Sequence, residues 1–295
     1  MEFSTEEKVV SKNLRANLIA GFFLWCFLAP SSALGQTGPD YEVYAIEYAS
    51  IPNTDVAEEI TGAKSPVMID LSYMVWLIRE PEGRTILVDA GCLPENPRIT
   101  EEARETYIRP DQAVAKLGIA PEDITDLIIT HLHWDHADGI SLFPNAQIWI
   151  QEAELEYYAT RAWQPDGNNE GVDPRNVAEL VKLNTEGRVT LVDGDDQEVF
   201  DGIRAYTGGR HSYASQYLGV DTPGGTVVLA SDNVWFYANL EMNLPNSLTF
   251  DPEAQLRAQE RMRKIASRPE WIIPGHDGAV FEKFPNPVEG IARIR

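Results

Sequence analysis

The 295-residue sequence carries 46 acidic against 24 basic side chains, a formal net charge of −22 at neutral pH. A surface this acidic repels phosphate backbones and argues against nucleic acid as substrate, and it suits a soluble exported protein. The two cysteines, Cys26 and Cys92, are separated by the expected processing site described next, so the fold does not depend on an internal disulfide.

Lys8, Lys12 and Arg15 precede an apolar stretch, Leu18 to Ala29, followed by Pro30 and the small residues around Ala33-Leu34-Gly35. That is the order of a secretory signal peptide, with cleavage after Gly35. The apolar part falls short of the roughly 20 residues a spanning helix needs. Residues 1–35 are therefore expected to be a signal peptide and 36–295 a single domain. The mature protein is expected to be exported, periplasmic or secreted, with no stable membrane insertion after cleavage.

From Tyr41 onward strands and helices interleave. Tyr41 to Tyr48 alternates like an edge strand. Val67 to Ile78 and Arg84 to Val88 form a hairpin closed by Pro81-Glu82-Gly83. Asp111 to Leu117 is a short helix with Asp111 as its N-cap, and Asp126 to Thr130 is a buried strand. Strand Ala146 to Ile150 runs into helix Glu152 to Tyr158, and the polar stretch Arg161 to Asp173 is a surface loop. Helix Asn176 to Leu183, strand Arg188 to Val192 and strand Ile203 to Tyr206 follow. A hairpin spans Ser215 to Val220 and Thr226 to Ala230, then come helix Pro252 to Ser267 and strand Trp271 to Ile273. The class is mixed α and β.

Directly after the Asp126–Thr130 strand stands His131-Leu132-His133-Trp134-Asp135-His136. In extended backbone, residues i and i+2 point to the same side, so His131 and His133 can share one ion. Asp135 and His136 lie where a turning chain can aim them at a second. Three of the five histidines are here; the others, His211 and His276, lie in glycine-bearing loops after strands. None is left for ordinary structural use, which points to a metal enzyme.

Leu87-Val88-Asp89-Ala90-Gly91, the His131–His136 run, Gly209-Arg210-His211, Ser231-Asp232 and Pro274-Gly275-His276 occur in this order over residues 66–277. Together they resemble the metallo-β-lactamase superfamily of hydrolases. The resemblance implies a four-layer αβ/βα sandwich with two metals at one edge of the paired sheets. His131, His133 and His211 would hold the first ion. Asp135, His136 and His276 would hold the second, with Asp232 bridging and Asp89 supporting from behind. Such donors suit two divalent ions, zinc above all, and also accept iron, manganese or cobalt. A water between two ions loses most of its proton affinity, and the resulting hydroxide attacks a carbonyl with no serine or cysteine nucleophile. Asp135 would hold and pass the proton.

Branch features narrow the substrate. His136 and Asp232 stand where zinc β-lactamases use an arginine or a serine. Only a short segment follows His276 in this sequence, so the C-terminal extension of glyoxalase-type thioesterases is not expected. The chain looks most like the N-acyl homoserine lactonases of quorum quenching, with a small-molecule lactone or ester as substrate. An arylesterase or organophosphate triesterase of the same fold is the alternative, ahead of a β-lactamase or thioesterase. Those lactonases usually carry a substrate-contacting tyrosine three residues after the bridging aspartate, where this chain has Trp235; Tyr237 is the nearest replacement. Met74, Trp134, Tyr157, Tyr158, Trp163 and Tyr213 are candidates for an acyl channel, and Arg210 is expected to pair with surface acids.

Overall fold

The computed structural model describes residues 40–80 and 83–295. The expected signal peptide, and the turn residues Pro81 and Glu82, lie outside the described residues. Among the described residues no helix is long and apolar enough to cross a membrane.

Two sheets form the centre. The first contains β1 (Glu42–Asp55), β2 (Met68–Arg79) and β3 (Thr85–Val88). Two short helices, α1 (Glu101–Thr106) and α2 (Pro110–Ala115), lead to β4 (Asp126–Ile128). The four-residue helix α3 (Trp134–Ala137) then precedes β5 (Gln147–Gln151), α4 (Glu152–Ala159), α5 (Pro174–Thr185) and β6 (Val189–Val192). The second sheet contains β7 (Gln197–Phe200), β8 (Ile203–Tyr206), β9 (Tyr217–Thr222) and β10 (Gly225–Ser231). Helices α6 (Tyr237–Met242) and α7 (Pro252–Ile265) precede its last strand, β11 (Ile272–Pro274). The chain ends with α8 (Ala279–Lys283) and β12 (Ile291–Arg293), which returns to the first sheet. The strand orders are β12-β1-β2-β3-β4-β5-β6 and β11-β10-β9-β8-β7.

Side-chain alternation along the strands builds the layers. On β2, Met74, Trp76 and Ile78 face the second sheet and meet Leu218, Val220 and Leu229. The intervening Val75 and Leu77 face the other way, onto Ala113 and Val114 of α2. Val228 and Ile272, on the outer face of the second sheet, pack under Ala258 and Met262 of α7. The result is helix on sheet on sheet on helix, the expected αβ/βα sandwich. Each fully buried aliphatic side chain between the sheets contributes about 1.5–3 kcal/mol.

Three expectations change. Tyr41 to Tyr48 is not an edge strand: β1 pairs with β2 on one side and β12 on the other, and both its faces are covered. The three-residue β12 is too short to leave a periodic signal. Asp111 is not an N-cap. Pro110 takes the first helical position after Arg109, and the Asp111 carboxylate instead receives Nε and Nη2 of Arg109, both at 2.6 Å. The stretch Arg161–Asp173 is not loop throughout, because Arg161–Trp163 closes a 3-10 turn.

Candidate metal centre

All five functional segments meet at one edge of the paired sheets. After β4 the chain stays extended to His133 and then turns into α3, so Asp135 and His136 come off a helical turn. His211 lies between β8 and β9, Asp232 follows β10, and His276 follows β11. Because β8, β10 and β11 run in the same direction, their C-terminal ends deliver these side chains together.

The seven donors form two buried groups, His131, His133, His211 and Asp232 in one and Asp135, His136 and His276 in the other. Asp232 connects them. Its Oδ2 lies 3.2 Å from His211 Nε2 and 3.7 Å from His131 Nε2. Its Oδ1 lies 3.1 Å from both His136 Nε2 and His276 Nε2. Asp135 Oδ2 completes the second group at 3.6 Å from His136 and 3.5 Å from His276, and His211 Nε2 is 2.9 Å from His133 Nδ1. Two nitrogens on one tetrahedral zinc stand about 3.3 Å apart, so these spacings are those of donors sharing an ion.

The buried atoms also fit two ions. His131 Nε2, His136 Nε2 and Asp232 Oδ1 are buried without a hydrogen bond, an arrangement stable only if something else satisfies them. Partners behind the rings fix which nitrogen is free. His211 Nδ1 donates to the Leu248 carbonyl at 2.9 Å and His276 Nδ1 to that of Ser72 at 3.0 Å. His136 Nδ1 meets Asp89 Oδ2 at 2.8 Å. His131 Nδ1 meets Thr130 Oγ1 at 3.0 Å, and that hydroxyl is itself held by Asp89 Oδ2 at 2.8 Å.

Electrostatics divides the groups. Burial, reinforced by neighbouring imidazoles, lowers His131 and His133 well below the ordinary imidazole value and keeps them neutral. Burial acts the same way on His136 and His276, but the Asp232 and Asp135 carboxylates outweigh it and raise both. For Asp232 burial is again overcome: the facing imidazoles of His276, His136 and His211 hold its carboxyl well below the usual range.

Residues 69–276 match the family model of the metallo-beta-lactamase superfamily. The chain belongs to that superfamily. It is 30% identical over 248 residues, 77% of this chain and 88% of the relative, to the N-acyl homoserine lactonase AiiA of Bacillus thuringiensis subsp. kurstaki. Among solved structures it resembles a quorum-quenching N-acyl homoserine lactone lactonase, at 26% identity and a TM-score of 0.61, with 84% of this chain and 96% of that one covered. AidC, a dizinc quorum-quenching lactonase, shares the fold at 16% identity and a TM-score of 0.59, covering 87% of this chain and 95% of its own. This member of the superfamily is a metal-dependent hydrolase with places for two divalent ions.

Two glycines let neighbouring loops close on the site. A Cβ on Gly275 would stand 2.6 Å from Asp232 Oδ1. Gly171, at φ +77°, passes over His133, where a Cβ would lie 2.7 Å from the ring.

Above the donors opens a pocket of about 270 Å³ lined by Leu71, Tyr73, Trp134, Trp235, Phe236 and Leu248, among others. Of the expected channel residues only Trp134 reaches it. Met74 packs between the sheets, since alternation along β2 gives the pocket to its neighbour Tyr73. Tyr158 is fully buried in the helix-facing core. Tyr157 stacks on Tyr213 at 3.9 Å, and Trp163, 39% exposed, lies outside the pocket lining. Arg210 does not pair with acids among the described residues; its guanidinium lies over the rings of Tyr213 and Phe250.

Tyr237 stands apart from the donors. It begins α6, its backbone N–H donates to Asp277 Oδ2 at 2.9 Å, and its ring lies under Lys283 in a separate cavity with Leu240 and Ile272. Trp235 does reach the site, and its indole Nε1 donates to Asp232 Oδ2 at 2.6 Å.

Sequence reasoning missed two residues. Glu154 of α4 is fully buried, and burial raises its pKa. Its Oε1 accepts from the Leu132 N–H and Ser212 Oγ, and its Oε2 from the Ala214 N–H, at 3.1, 2.6 and 2.6 Å. One carboxylate thus ties the His131–His136 run to the His211 loop. Its only trace in the sequence is an acid on the inner face of an otherwise ordinary helix. Tyr73 is the second. Its ring packs on Tyr48, Trp134 and His276, with centroids 6.0, 5.8 and 5.5 Å away. Burial first, then the Asp135 carboxylate, pushes its phenol up, so it stays protonated. An alternating strand conceals which member will face a pocket.

Proposed function

We propose that this chain is an N-acyl homoserine lactonase that hydrolyses the lactone ring to the open hydroxy acid. The observation that carries the reading is Asp232, whose two oxygens face two separate histidine groups at the floor of one pocket. The relative that matches over most of its own length supports the substrate class.

Two divalent ions, when bound, supply an acidified water and polarise the carbonyl. The chain's own residues do the rest. Asp232 and the five histidines fix where the carbonyl carbon must lie. Asp135, which lines the pocket, accepts the proton released as water adds and returns it to the ring oxygen as the C–O bond breaks. Leu71, Phe236 and Leu248 give the acyl chain an apolar wall and exclude bulk water. Export is proposed as well, supported by the basic, apolar and small-residue order of residues 8–35; N-terminal sequencing of the mature protein tests it, with Gln36 expected first.

The test of function is proton release from a short- and a long-chain acyl-homoserine lactone by zinc-loaded residues 36–295, with metal-stripped protein as control. Metal-dependent ring opening is expected. No opening by protein that holds two zinc ions would overturn the substrate and leave the hydrolase fold standing.

A further inference from the structure

A carbonyl under attack gathers negative charge on its oxygen, and a fixed donor aimed at that oxygen lowers the barrier. Apart from the metal donors, the side chains of the pocket wall that carry an N–H or O–H are Tyr73, Trp134 and Trp235. An indole has a single donor, and that of Trp235 is engaged by Asp232 at 2.6 Å. Trp235 therefore holds the bridging carboxylate and has nothing left for substrate.

We propose that Tyr73 is the catalytic hydrogen-bond donor, its hydroxyl meeting the substrate carbonyl oxygen from the pocket wall. Three observations favour it over Trp134. The Tyr73 ring stands edge-on to His276, 5.5 Å between centroids, which places it directly beside the second donor group. Packing against Tyr48 and Trp134 confines the ring between neighbours, the pre-organisation a catalytic donor needs. Trp134, by contrast, has its ring contact with Tyr73 and none with a donor histidine. The Tyr73 hydroxyl has no hydrogen-bond partner among the described residues, although it borders a polar site.

This inference rests on the lactonase reading for its substrate but can fail separately from it. Y73F removes one oxygen and keeps the ring. In the zinc-loaded variant kcat on N-hexanoyl homoserine lactone is expected to fall on the order of 100-fold, with KM raised as well and two zinc ions retained. Calorimetric binding of the uncleavable N-hexanoyl lactam should weaken in parallel, a readout that needs no turnover. W235F provides the contrast: zinc retention is expected to drop, since that side chain acts through Asp232. Unchanged kcat in Y73F, unchanged lactam binding, or loss of zinc from Y73F would each overturn the assignment. If the wild type opens no lactone, the substrate proposal fails, and the same Y73F comparison on 4-nitrophenyl acetate, which presents an equivalent carbonyl, decides Tyr73.

Discussion

The Asp89 carboxylate lies 2.8 Å from His136 Nδ1, and through Thr130 the same oxygen also reaches His131 Nδ1. One fully buried acid thus orients a histidine of each metal position. Asp89 holds a left-handed backbone conformation, φ 62°, immediately after β3.

Asp89→Asn tests that relationship. The amide presents an N–H₂ or a weaker acceptor to His136 and disturbs the tautomer that leaves Nε2 free. Zinc affinity is expected to fall by about 10–100-fold, measured by competition with a chromogenic chelator. Native affinity would show that the rings are held by packing alone.

Asp232→Asn removes the connection between the two groups. An amide offers one oxygen where the carboxylate offers Oδ1 to His136 and His276 and Oδ2 to His211. Metal content should drop below two per chain, and turnover should fall together with it, by on the order of 100-fold or more. Elemental analysis alongside the rate assay checks both. Full activity would remove Asp232 from the bridging position.

Glu154→Ala leaves the Leu132 and Ala214 N–H groups and the Ser212 hydroxyl without their acceptor in a dry interior. Each such orphan costs about 1–3 kcal/mol. Urea melts of the metal-free protein should show a loss of about 3 kcal/mol, and zinc should bind more weakly because the two first-site loops are no longer tied. A variant as stable as wild type would mean that water replaces the carboxylate.

Metal loading should release protons. Burial lowers the His136 pKa, but the Asp232, Asp135 and Asp89 carboxylates raise it well above the ordinary 6.5, so at neutral pH the metal-free ring carries a proton. That proton must leave before an ion binds. Apparent zinc affinity therefore rises with pH through neutrality and levels off only above the raised His136 value. Calorimetry at pH 7 in two buffers of different ionisation enthalpy should give different heats. Equal heats would mean that the ring is already neutral.

The donor set was legible because it obeys local rules. His131 and His133 share a side of an extended segment, and Asp135 and His136 sit in the turn that follows. Of the remaining donors, His276 directly follows Gly275, whose missing side chain the close approach at Asp232 requires, and His211 follows Gly209 by two residues. The long amphipathic elements were legible from their periodicity, whereas the caps that start them, Asp173 and Asp251, each before a proline, emerged only in the structure. Short elements such as α1, α6, β7 and β12 were not, because three to six residues hold too little periodicity to stand out.

What the sequence determined by itself was which atoms can hold metal and which superfamily's order of motifs they follow, since ligand chemistry is a property of residue type and near spacing. What only the tertiary structure decided was who faces the substrate. On β2, alternation buries Met74 and exposes Tyr73, and three residues past Asp232 an indole engages the bridge while Tyr237 points to another cavity. Those outcomes depend on how two sheets and their loops pack across distances that no local pattern records.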